Sequence, residues 1–191
     1  QEVWPLMAAA LKARPAVIAV FVTRPTETVV DRQALGMPPP EAAVKGVYAM
    51  RMADPSRPRQ GTIVLQESGA AYAFVEDVLP RLDRAGLNLN VYYVASCELF
   101  NRLPLEEQDE IFPETFRREA MAITGFTLPT MYRWVNSDAR LKDSLHGFGC
   151  GRYPGSGQAR EVLKEAGLDG ESQFAAITRY VAGLDQVGTA A

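Results

Sequence analysis

The sequence has little of what usually marks a function. Only two cysteines occur in 191 residues, Cys97 and Cys150, and they lie far apart. That excludes a disulfide framework and a cysteine zinc cluster, and it fits a reducing, cytoplasmic setting. There is one histidine, His146, so any Ser-His-Asp or Cys-His set would have to use it. No Gly-x-Ser-x-Gly elbow is present. No apolar run reaches the roughly 18–20 residues that cross a bilayer, so no membrane partner is expected. Positive charge is not in surplus: Lys and Arg number 20 against 23 Asp and Glu, a net charge of −3. Nucleic acid is therefore not an expected partner. Lys12 and Arg14 follow the first apolar stretch, whereas a signal peptide places its charges first. The chain opens on Gln1 and enters a helical pattern at once, which reads as a cut within a larger polypeptide.

What remains is ordinary globular material, 47% hydrophobic and 23% charged. Pro5 suits a first helical turn, Trp4, Met7, Ala8 and Leu11 follow at helical spacing, and Pro15 stops the run after Arg14. Ala16–Val22 is a continuous apolar run, the pattern of a parallel strand covered on both faces. Residues 26–44 read as a linker, stiffened by Met37-Pro38-Pro39-Pro40, and the domain boundary is placed there. Strands are expected at 46–52, 62–65, 89–94, 119–124 and 145–148. Between them lie a helix carrying Phe74, Val78 and Leu82 that Pro80 should kink or divide, a loop at 96–100, and an acidic helix at 105–111. Thr127 can cap a helix that puts Met131, Trp134 and Val135 on one face. Two helices close the chain, one ended by Gly167 and one carrying Phe174, Ile177, Val181 and Leu184. Strand and helix alternate at short intervals, so the class is α/β with a mostly parallel sheet.

Few residues suggest chemistry by themselves. Gly147-Phe148-Gly149-Cys150-Gly151 lacks the Lys-Ser/Thr of a phosphate loop and reads as a turn. His146 reads as structural, Cys150 as a small buried residue, and the acidic run Glu106, Glu107, Asp109, Glu110 as a solvated helix face. Tyr132 and Trp134 read as rim and core. Arg24 stands out. It directly follows the apolar run, at the edge where open α/β sheets bind ligands. A guanidinium there can hold a phosphate bidentately. An ion pair with Asp31 or Glu27 is the alternative.

Taken in order, the segments resemble the C-terminal part of a transketolase. Ala16–Arg24 resembles the end of that family's pyrimidine-binding domain, where a strand enters a Ser-Arg-Gln segment. Lys45-Gly46-Val47-Tyr48 resembles its Gly-Gly-Tyr entry into the last domain. Thr62–Gly69 occupies the place of an apolar strand and an Ala-Thr-Gly-Ser-Glu turn. Asn90–Phe100 resembles a strand followed by Pro-Ser-x-x-x-Phe. Glu107 to Pro113 resembles a stretch ending in Leu-Pro. Phe148-Gly149, Ser156–Ala159 and Glu165–Gly167 resemble a Phe-Gly-x-Ser-Ala-Pro-Ala helix and its closing Phe-Gly. Pro25 stands where the family has glutamine, Ile123 where it has glutamate, and Ser68-Gly69 reverses the family's Gly-Ser.

The resemblance implies a three-layer transketolase C-terminal-domain-like fold over residues 41–191. It makes residues 1–40 a helix-strand remnant of the pyrimidine-binding domain with its linker. It implies two-carbon ketol transfer between sugar phosphates on thiamine diphosphate, held through Mg²⁺ or Ca²⁺, in the intact enzyme of the pentose phosphate pathway. Arg24 matches the family arginine that contacts the substrate phosphate. The Gly-Asp-Gly that binds the diphosphate metal is absent from the sequence. This chain alone is therefore expected to bind no cofactor and to catalyse nothing. Its partners would be the remaining domains and a second subunit of a homodimer. A stand-alone binding or regulatory module of the same fold, and the C-terminal part of a 2-oxoacid dehydrogenase E1 component, are the alternatives.

Overall fold

The computed structural model describes residues 1–23 and 27–188. Five strands form one sheet: β1 (Val47–Arg51), β2 (Thr62–Gln66), β3 (Asn90–Val94), β4 (Met121–Thr124) and β5 (Leu145–His146). Their spatial order is β1-β3-β2-β4-β5. β2 pairs in parallel with β3 and β4, β4 with β5, and only the edge strand β1 runs antiparallel. A register shift between Ala49 and Arg51 marks a bulge on that edge.

The sheet is covered on both faces, giving three layers. Period-two alternation sends Ile63, Leu65, Met121 and Ile123 to one face, where they pack with Phe74, Val78, Leu82, Ile177 and Tyr180. Val64, Ala122, Tyr92 and Val94 face the other way, onto Phe100, Phe112, Met131 and Trp134. Aromatic edges knit this second layer: Phe112 meets Trp134 at 5.8 Å and Tyr92 at 4.9 Å between centroids.

The first layer is a helix in three parts. α2 (Ser68–Ala73) widens into a π turn over Phe74–Val78 and continues as α3 (Leu79–Ala85). Pro80 has no N–H, and its ring crowds the carbonyl four residues back, so a wider turn just before it relieves the clash. Gly86, at φ 66, ends the helix. The last helix, here α9 (Gly170–Gly188), packs beside it. Tyr180 of α9 ties the layer to the sheet: its hydroxyl accepts from Thr62 N at 3.0 Å and donates to Glu119 O at 2.6 Å.

The second layer carries the connections between β3 and β5. They are α4 (Cys97–Phe100), α5 (Leu105–Ile111), α6 (Glu114–Glu119), a 3₁₀ turn at Leu128–Met131 and α7 (Asp138–Asp143). α8 (Ala159–Glu165) precedes α9. Residues 97–100 are thus a helical turn rather than a loop, because the Ser96 hydroxyl accepts from Leu99 N at 3.2 Å. Thr127 makes no side-chain cap and starts only a short 3₁₀ turn, yet Met131, Trp134 and Val135 are all buried as their spacing implied.

The main departure is the N-terminal arm. α1 (Val3–Ala13) forms as expected and ends at Arg14, which takes a left-handed φ of 50. Residues 16–22, expected as a strand, pair with no strand among the described residues. Val17 is 80% exposed and Phe21 78%. A strand's hydrogen bonds need a neighbouring strand, and the five-stranded sheet ends at β1 and β5 without reaching this segment. The arm is pinned instead at its two ends. Glu2 pairs with Arg32 and accepts from the Tyr48 hydroxyl at 2.8 Å, while Arg32 also donates to Pro38 O at 2.8 Å. A 3₁₀ turn at Pro40–Lys45 then delivers the chain to Gly46. Gly46 has φ 86, and a Cβ there would overlap the Ser96 carbonyl, so only glycine fits where β1 begins.

Candidate functional site

The connection leaving β2 returns on one side, as β3, and that leaving β4 returns on the other, as β5. Loops that part in this way leave a crevice outside the carboxyl ends of the strands, here between β2 and β4. Two loops form its walls, Gln66–Gly69 and Thr124–Thr127. Gln66 Oε1 accepts from the Thr124 hydroxyl at 3.0 Å and from the Thr130 hydroxyl at 2.7 Å, locking one wall to the other. Thr124 Oγ1 in turn accepts from Phe126 N at 3.0 Å.

Glu67 is the unusual residue of the crevice. Its φ of 76 lies in the left-handed region, which costs a non-glycine residue about 1–3 kcal/mol. The return is a cap: its carboxylate accepts from Gly69 N at 2.6 Å and Ala70 N at 3.0 Å. These are the orphan donors of α2. An internal carboxylate therefore already occupies the place where a helix start could receive an anion. Gly125 lies against this carboxylate, and a Cβ on it would overlap the Glu67 side chain.

The arm crosses this crevice. Phe21 meets Phe126 edge-on at 5.9 Å, and the Ser68 and Thr23 hydroxyls stand 3.5 Å apart. Arg24, the residue expected to hold a phosphate, comes next and lies outside the described residues. Of its two alternative partners, Asp31 caps a local turn through Ala34 N at 3.0 Å. Burial, and then the charges of Glu76 and Glu67, raise the Glu27 carboxyl above the ordinary glutamate range. Burial and the charges of Glu27 and Glu76 likewise raise the Tyr72 phenol. Glu27 thus feels the negative charge of both Glu76 and Glu67.

The other candidates do not converge into a reactive set. A hollow of about 710 Å³ has His146, Cys150, Tyr132 and Lys142 along its lining. His146 Nδ1, however, accepts from Phe148 N at 3.3 Å, and the Cys150 thiol lies 3.5 Å from Arg152 O. Cys150 is exposed, not buried as its type suggested, because the glycine-rich loop carries it outward. Glu106, Asp109 and Glu110 are exposed, and Glu107 pairs with Lys45 at 2.7 Å. Trp134 is fully buried and Tyr132 is 55% exposed, core and rim as expected. Among the described residues, no three His, Cys, Asp or Glu side chains could hold a metal ion. Gln66, Glu67 and Thr124 had no signal of their own in the sequence; a glutamate at positive φ is not written in any periodicity.

Fold and crevice together define a three-layer α/β unit with a mostly parallel sheet and a polar crevice at its switch point. No protein-family model matches the sequence, and no curated protein does. Solved structures do. A transketolase mutant from Pichia stipitis matches with a TM-score of 0.56 and 20% identity, over 77% of this chain and 19% of that one. The Pichia stipitis transketolase in complex with sedoheptulose 7-phosphate gives the same values. The transketolase of Leishmania mexicana matches with a TM-score of 0.56 and 16% identity, over 76% and 19%. The chain has a transketolase-like fold and spans about a fifth of the length of these enzymes.

Proposed function

We propose that this chain is the C-terminal portion of a transketolase-type enzyme, with residues 1–40 the tail of the pyrimidine-binding domain and 41–191 the C-terminal domain. The observation that carries the reading is a coincidence of two kinds of order. The motif order along the sequence resembles a transketolase, and the layered sheet is similar to that of solved transketolases. In this reading the chain works in the cytoplasm, within a homodimer that binds thiamine diphosphate and Mg²⁺ or Ca²⁺ through its other domains. It contributes to the pairing of subunits and, through Arg24, to holding the substrate phosphate. The arm supports that last role by bringing Thr23 to the crevice mouth. The chain by itself has no turnover.

The first test is the size of the native polypeptide in an extract of source cells, read with an antibody against this chain. A band several times larger than 20.9 kDa supports the reading. A band at that size overturns it: the chain is then a separately encoded subunit or a stand-alone module, and the capped start of α2 favours the module. In the intact enzyme, Arg24→Gln should raise KM for phosphorylated sugars more than for free ones. Copurification with a lipoyl-bearing protein would instead indicate a 2-oxoacid dehydrogenase E1 component.

A further inference from the structure

A groove of about 530 Å³ lies between α1 and the α4 segment. This is within the range of about 300–1,000 Å³ that small-molecule clefts occupy. Its wall is apolar: Ala9 of α1 on one side, Val44, Leu99 and Leu103 on the other. Two cations complete the lining, Lys12 from α1 and Arg102 from the end of the α4 turn, and no carboxylate lines it. Several basic side chains elsewhere are engaged with carboxylates. Arg32, Arg51, Arg59, Arg81 and Arg118 each hold a carboxylate, and Lys45 holds Glu107. Among the described residues, neither the Lys12 ammonium nor the Arg102 guanidinium has an ion-pair or side-chain hydrogen-bond partner. Two unpaired cations beside an apolar wall disfavour a cation, and they favour an anion whose remainder is apolar.

We propose that this groove binds a small amphipathic organic anion. Its single anionic head is held by Lys12 and Arg102, and its apolar body lies on Ala9, Val44, Leu99 and Leu103. The body distinguishes such a ligand from inorganic phosphate, which two exposed cations hold only weakly in water. The head distinguishes it from a neutral alcohol, which leaves both cations unpaired. The site is separate from the crevice between β2 and β4 and does not depend on the enzyme reading.

The test is an amide-shift titration of the ¹⁵N-labelled chain with hexanoate, hexyl phosphate, hexanol, hexylammonium and inorganic phosphate. Saturable shifts with hexanoate or hexyl phosphate, clustered at residues 8–12 and 99–103, are expected. Hexanol should bind about tenfold more weakly, the loss expected when charge-assisted contacts to the head are removed. Lys12→Gln with Arg102→Gln should bring hexanoate down to the level of hexanol. Lys12→Arg with Arg102→Lys should retain binding, which separates charge from fold. Equal affinity for hexanol or hexylammonium overturns the proposal. So does an unchanged hexanoate response in the Gln variant, or a response confined to Val17–Val22.

Discussion

The arm and the sheet body are built from equally apolar sequence, yet only one of them is packed. Ala16–Val22 is as hydrophobic as Thr62–Leu65, and both carry the sequence pattern of a strand. In β2, Ile63, Val64 and Leu65 have no exposed surface, whereas Val17, Phe21 and Val22 are mostly exposed. The difference is one of neighbours. β2 lies between β3 and β4, which satisfy its backbone and cover its side chains. The arm is anchored through Glu2 and Phe21, and among the described residues no strand pairs with it. Apolar composition makes a strand possible, and pairing makes it exist.

The comparison can be broken most sharply at a core aromatic. Phe74→Ala, at a fully buried position, should cost about 3–5 kcal/mol, read as a lower urea midpoint. Phe21→Ala should move the same midpoint by no more than about 0.5 kcal/mol, since the ring is mostly exposed. Similar losses for the two would mean that the arm is part of the folded core.

Tyr180→Phe tests the junction between α9 and the sheet. It strands the buried Thr62 N–H and Glu119 carbonyl and should cost about 1–3 kcal/mol. The aromatic packing is kept, so a loss much beyond that range would point to a wider network.

The arm's anchor should respond to acid. Burial alone would raise the Glu2 carboxyl, but the Tyr48 hydrogen bond and the Arg32 charge outweigh it and bring it below its ordinary value. A carboxyl depressed in the folded state stabilises above its unfolded pKa and loses that contribution as pH falls through the folded pKa. Acid should therefore loosen α1 before the sheet opens, seen as faster proteolysis in residues 14–30 with unchanged protection of β2. Glu2→Gln should show the loosening already at neutral pH. Simultaneous loss of arm and sheet protection would contradict the two-part description.

The smallest effect on stability belongs to the arm's own surface. Val20→Lys with Phe21→Lys should leave the unfolding midpoint nearly unchanged but reduce self-association in sedimentation. An unpaired apolar edge is a template for a second chain. A monodisperse monomer before the substitution would remove the reason for any change.

Particular residues show how much was legible. The apolar runs Ile63-Val64-Leu65 and Val91–Val94 mark strands, because a strand covered on both faces is apolar throughout, but they leave open which side chain faces which layer. Gly167 marks a helix end because a left-handed turn selects glycine. Glu67, with the same kind of φ, left no such trace, because its conformation is held by the α2 N–H groups and by the space at Gly125. Cys150 is exposed although its residue type favours burial, because exposure belongs to the course of a loop and not to the residue type.

By itself, the sequence determined the α/β class, the buried strand segments at 62–65, 89–94 and 119–124, the closing helices and the order of motifs that resembles a transketolase. These depend on local periodicity and on residue types with fixed conformational preferences. Only the tertiary structure decided that β1 is an antiparallel edge, that Ala16–Val22 pairs with no strand among the described residues, and that Glu67 fills the start of α2. Each of these depends on which distant segment supplies a hydrogen-bond partner or a charge, and that information appears only when the chain is brought together.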